Sequence, residues 1–185
     1  ARINSNLFEI HDLIGQILFS IGKFKESQKK YEYLLKHSDK KLRDKIQVNI
    51  SSNKMELGLI KQAKDLLKQT ESNMGYYNLS LINIKEGNLA EGWNNFDHGI
   101  LNGARIVRDI DYISAKMKLW HPEENFKSVL ILGEQGIGDE IMYSSIINEL
   151  SEKGLKVGLM MDKRLKGIFS RSFNGVELIE NKEDA

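Results

Sequence analysis

Apolar residues recur at spacings of three and four through the first 118 residues, the period of one helix face. Leu7, Ile10, Ile14, Ile17, Leu18 and Ile21 predict a first helix with that stripe turned inward. The tripeptide at 22–24, Gly-Lys-Phe, breaks it, and a second helix follows with Phe24, Tyr31, Leu34 and Leu35 inside. The unit recurs over 56–67, with a turn at Gly58 and Ile60, Ala63, Leu66 and Leu67 inside. It recurs again over 85–96, with a turn at Gly87 and Leu89, Trp93 and Phe96 inside. The charged run 37–45 reads as a turn and the exposed start of the second unit. Ile106, Ile110, Ile113 and Met117 predict one more helix, suited to cap the stack.

Residues 119–127 read as a connector around Pro122, the chain's one proline, which disfavours helix in the residue before it. Beyond it the pattern changes. Short apolar runs at 128–133, 156–162 and 176–180 predict buried strands. Between them, 139–154 predicts a helix closed by Gly154, and 163–173 a shorter one. Strand, helix, strand, helix, strand implies a parallel, Rossmann-like sheet. The expected organisation is therefore helical repeats over 1–118, the connector 119–127, and a partial Rossmann-like α/β domain over 128–185. Three strands make half of an ordinary doubly wound sheet, so the parent protein is expected to continue.

Composition narrows the function classes. A formal net charge of +1 over 185 residues gives no global attraction to nucleic acid or anionic membrane. No aromatic and basic residues interleave in the manner of a single-strand binder. Without cysteine there are no disulfides, thiolate metal sites or cysteine nucleophiles. His11, His37, His98 and His121 lack metal-ligand spacing. The absence of a signal pattern and of a long apolar run points to a soluble, cytoplasmic protein.

The candidate chemistry lies in LILGEQGIGDE, residues 130–140, at the carboxyl end of the first predicted strand, where open α/β sheets place ligands. Its glycines are spaced unlike a dinucleotide fingerprint or a P-loop. Asp139 and Glu140 occupy the helix end where a phosphate would sit, and Glu134 stands near, so the loop is a poor phosphate cradle. It better suits a carboxylate that takes a proton or a hydroxyl hydrogen bond. Gly136 and Gly138 permit tight turns and close ligand approach. Asp139 is open to two compatible roles, a helix cap and a functional carboxylate. The basic residues Lys163, Arg164, Lys166 and Arg171 read first as a solvated face and second as an anion-steering cluster.

Helix, glycine turn, helix, at a period near 34 residues, is similar to tetratricopeptide repeats, in a degenerate form. Ser27 and Gly92 stand at positions where alanine is usual. With EGNLAEGWNNF, Trp120 and VLILGEQGIGDEIMYSSII, the chain resembles a bacterial family that joins such repeats to a GT-B glycosyltransferase domain related to lipopolysaccharide heptosyltransferases. Gly87, Asn88, Leu89, Gly92, Trp93, Phe96 and Asp97 match one block, and Glu134, Gln135, Gly136, Ile137, Gly138, Asp139, Ile141 and Tyr143 another. Gly99, Pro122 and Met142 depart from its pattern.

The resemblance implies that Asp139 deprotonates an acceptor hydroxyl, with Glu134, Gln135, Gly136 and Gly138 shaping the acceptor pocket. It implies no metal, and a nucleotide-sugar donor held by a second lobe, so this chain alone is expected to be inactive. The repeats are expected to bind a protein or peptide, and the acceptor to be a glycan or protein. The alternative is a non-catalytic interaction module built on the repeats.

Overall fold

The computed structural model describes residues 5–107, 109–118, 120, 124–134 and 136–180. The chain divides into two compact units, Ala1–Ala104 and Arg105–Ala185. The sequence-based boundary at 118 falls within the second.

The first unit is helical: α1 (Ser5–Ser20), α2 (Phe24–His37), α3 (Lys40–Glu56), α4 (Ile60–Leu67), α5 (Asn73–Lys85), α6 (Leu89–Phe96) and the single turn α7 (His98–Leu101). Each of α1 to α5 packs on the next, and α7 packs on α5. The hairpins α1–α2, α3–α4 and α5–α6 turn at Gly22, Gly58 and Gly87, each in the left-handed region at φ 78°, 74° and 82°. The closing bonds are the same in all three. Lys23, Leu59 and Asn88 donate their N–H to the carbonyls of Leu18, Lys54 and Asn83, each at 2.8 Å. That bond satisfies a carbonyl the helix end leaves open, and its left-handed residue is why glycine stands there.

A register follows from the turns. Seven residues before each turn glycine stand Gly15, Ser51 and Ser80, and five after it Ser27, Ala63 and Gly92, all buried. These small residues are where the two helices of a hairpin meet. Ser27 donates its hydroxyl to the Gly15 carbonyl at 2.8 Å. A Cβ on Gly92 would stand 2.5 Å from Ile84 Cγ1 and 3.3 Å from the Ser80 carbonyl oxygen. Between hairpins, Tyr31 and Leu34 of α2 are buried with Ile46 and Ile50 of α3. Ala63 and Leu67 of α4 are buried with Val48 of α3 and Ile82 of α5.

Two inward faces differ from expectation. On α1 it is Asp12 and Gly15 that are buried, whereas Leu7, Ile10 and Ile17, and Ile21 just beyond its end, are exposed. The Tyr31 ring lies over Gly15, so the small residue marks the packing face rather than the apolar stripe. On α6, Leu89 and Trp93 are exposed and Gly92 is buried, for the same reason. Phe96 keeps ring contacts to Trp93 at 4.9 Å and to Tyr77 at 5.7 Å.

The second unit holds the short α8 (Ile110–Ser114), the strands β1 (Ser128–Leu132), β2 (Lys156–Met160) and β3 (Glu177–Ile179), and the helices α9 (Ile137–Tyr143), α10 (Ile146–Glu152) and α11 (Lys166–Ser172). The strands form a parallel sheet in the order β1-β2-β3. Val129, Ile131, Val157, Leu159 and Leu178 alternate onto one face. There they pack with Ile147 and Leu150 of α10, Leu165, Phe169 of α11 and Trp120. The predicted helix over 139–154 is two helices. The Ser144 hydroxyl turns back to the Ile141 carbonyl at 2.7 Å, competing with the backbone at the break. The helix predicted around 106–117 is reduced to α8, in which Ile113 is buried, while Ile106 ahead of it is exposed. His121 and Pro122 lie outside the described residues.

Candidate functional site

The site is the loop that leaves β1. Its first residue, Gly133, is still tied to the sheet, donating its N–H to the Met160 carbonyl at 2.7 Å. A side chain there has no room. A Cβ on Gly133 would stand 2.5 Å from Glu140 Oε1. Glu140 reaches back from the first turn of α9 into this position and is buried. Its Oε2 accepts the Asp162 N–H at 2.8 Å, just past the end of β2. One carboxylate thus links β1, α9 and the segment after β2.

Glu134 follows. Its backbone makes an antiparallel bridge with Val107, and its carboxylate accepts from the Arg105 guanidinium in an ion pair. Arg105 is 8% exposed and the Glu134 side chain 15%, so both charges are largely out of water. Losing one partner of such a pair is costly, because the other is left charged in poor solvent. Glu134 is therefore fastened into the fold by Arg105. Gln135 lies outside the described residues.

Gly136 is extended, at φ −133°, and precedes α9. Asp139 stands in the first turn, where Oδ2 accepts the Gly136 N–H at 3.3 Å. The capping role expected of Asp139 is present, toward the residue ahead of the helix. Asp139 is half-buried, and its Oδ1 carries no hydrogen bond among the described residues.

Neither Gly136 nor Gly138 has the positive φ that a tight turn would demand. Packing does not explain them either. Among the described residues, a Cβ on Gly138 meets nothing within 4 Å, and one on Gly136 meets Asp139 Oδ2 alone, at 3.7 Å. The three loop glycines therefore separate into one required by the Glu140 carboxylate and two that leave backbone bare beside Asp139.

The basic cluster after β2 is partly spent on internal pairs. Arg164 donates to both Asp162 oxygens at 2.9 Å, and this hydrogen bonding, with the charge beside it, holds its pKa above the ordinary value. Lys166 pairs with Glu180 and holds that carboxyl below the usual range, by its hydrogen bond first and its charge second.

Of the residues singled out from sequence, Glu134, Gly136, Gly138 and Asp139 are brought together on one loop and its helix. Arg105, Glu140 and Asp162 organise them, and no local pattern in the sequence announces that role. Arg105 lies 29 positions from Glu134, and no local pattern joins them. In the sequence Glu140 shows only as charge at a helix end. The buried Gly133 beside it is the trace it leaves in the sequence.

Among the described residues no three or more His, Asp or Glu side chains are placed to hold a metal ion, and no helix is long and apolar enough to cross a membrane. No protein-family model, curated protein or solved structure matches the chain.

Proposed function

We propose that the second unit is the acceptor side of a sugar-transfer enzyme, a Rossmann-like sheet of the GT-B kind, and that the first unit is a tetratricopeptide-like stack that holds a protein or peptide partner. The observation that carries this reading is the pair of glycines, 136 and 138, that neither backbone angle nor packing among the described residues requires, set beside a positioned carboxylate at the carboxyl end of β1. Bare backbone there admits an acceptor close to Asp139.

In this reading the acceptor is a hydroxyl of a glycan or protein. Asp139 takes the proton through Oδ1 while Oδ2 stays on the Gly136 N–H. The hydroxyl oxygen bonds to the anomeric carbon of a nucleotide-sugar, and the bond from that carbon to the phosphate oxygen breaks, releasing the nucleotide. A further lobe supplies the donor. Glu134, held by Arg105, fixes the loop's path, and the reaction draws on Asp139 rather than on Glu134 for the base.

The test is Asp139→Asn in the natural full-length polypeptide, assayed for transfer from a panel of nucleotide-sugars. Asn still accepts the Gly136 N–H, so the thermal midpoint should hold, while the rate falls by about 100-fold or more, the usual contribution of a general base. Transfer at the parental rate by the variant removes Asp139 from the role.

The second reading is an interaction module without catalysis, favoured by the constant register of the three hairpins. It requires a saturable protein or peptide partner whose affinity is the same for the parent and Asp139→Asn. No transfer from any donor by the parent, together with such a partner, would decide for it.

A further inference from the structure

The α1 helix presents a row of large apolar side chains, Leu7, Ile10, Leu13 and Ile17, continued by Ile21 just beyond its end, all exposed. The register of the stack shows what such a row faces elsewhere. Twelve residues before the turn glycine, Ile10 of α1 corresponds to Ile46 of α3. Five before it, Ile17 corresponds to Ile82 of α5. Ile10 is 53% and Ile17 51% exposed, against 1% for Ile46 and 2% for Ile82. The difference is the preceding hairpin. Ile46 is covered by Tyr31 and Leu34 of α2, and Ile82 is buried with Ala63 and Leu67 of α4. Tyr31 and Leu67 themselves occupy one register position, nine residues after their turn glycines.

The row is not an isolated greasy patch, because Ile10 and Ile17 at its centre stand at positions that are buried in both later hairpins, as Ile46 and Gly75 and as Asn53 and Ile82. Its occupant is therefore defined by chemistry. It is a second helix of a hairpin with a small residue five positions after its turn glycine and a tyrosine or leucine nine after it. In both interfaces in hand that helix belongs to the preceding hairpin of the same polypeptide, joined by a short connector at 38–39 or 68–72. We propose that the face of α1 centred on Ile10 and Ile17 seats the second helix of one more hairpin of this register, upstream in the same polypeptide.

The chain has no cysteine, so single thiols report on the face directly. Ile10→Cys and Ile17→Cys are made in the natural full-length polypeptide and in the 185-residue chain, with Leu13→Cys as a second probe of the row and Leu59→Cys as an exposed control. Alkylation by iodoacetamide is followed at the labelled peptide by mass spectrometry, on variants whose circular dichroism matches the parent. In the 185-residue chain all four should label at similar rates. In the full-length polypeptide the thiols at 10 and 17 should label about 100-fold or more slowly than the control, since reaction must await local opening. Control-like labelling at both positions in the full-length polypeptide overturns the proposal. So does protection that appears in the 185-residue chain and rises with its concentration, because the occupant is then a second copy.

Discussion

Asp139 and Glu140 are adjacent carboxylates in different surroundings. Glu140 is buried, fills the space at Gly133 and accepts the Asp162 N–H. Glu140→Ala strands that N–H and opens a void between β1 and α9, and should cost about 2–3 kcal/mol in urea unfolding. Asp139→Ala loses one cap bond and should cost about 1 kcal/mol or less. Equal losses for the two would mean that Glu140 does not hold the sheet end together. Tyr31 raises a different residue-scale expectation. Burial, and then the Asp12 carboxylate beside it, push its hydroxyl pKa well above the usual value. A raised folded-state pKa means the stabilisation is complete below the unfolded value, about 10 for tyrosine, and is lost as pH rises beyond it. Tyr31→Phe keeps the ring over Gly15 and gives up a long 3.4 Å bond to the Asp12 carbonyl. The parent should lose stability more steeply than Tyr31→Phe above about pH 10. Parallel pH profiles would show that the hydroxyl is not protected.

At the scale of elements, the helices meet through small residues, and this separates glycines that look alike in sequence. Alanine is the better helix former by about 1 kcal/mol. At Gly92, however, its Cβ would meet Ile84 Cγ1 at 2.5 Å and the Ile84 nitrogen at 3.0 Å. Gly92→Ala should therefore destabilise the helical unit by about 1–3 kcal/mol, the range for overpacking. Gly138→Ala, in the first turn of α9 with open space around it among the described residues, should be neutral or stabilise by up to about 1 kcal/mol. Thermal melts of the pair check this, and a stabilised Gly92→Ala would refute the close approach of α5 and α6.

For the whole molecule, the two grammars of the chain were legible. Helical spacing before the connector and short β-branched runs after it placed the turn glycines and all three strands to within two residues at each end. What periodicity cannot report is the partner of a face. The stripe on α1 is as regular as any in the chain, and it is exposed because the face that packs on α2 is the one bearing Gly15. The loop after β1 was also legible as a position, through its glycines and carboxylates. Its organisation was not, because it rests on side-chain pairs far apart in sequence. Arg105 with Glu134 ties the loop to a segment read as part of the helical half, and Glu140 with Asp162 joins the ends of two strands.

The constant spacing around the turn glycines sets where the chain can change length. From Gly15 to Ser27, Ser51 to Ala63 and Ser80 to Gly92 the count never varies, whereas one turn glycine follows another after 36 residues and then 29. One residue inserted into a helix rotates everything beyond it by about 100°. Inside the constant stretch, that would carry the small residue off the contact. In the connectors at 38–39 and 68–72 it falls where length already differs. A change of length is thus borne best at the joints between hairpins, and each hairpin's centre acts as a cassette of fixed length.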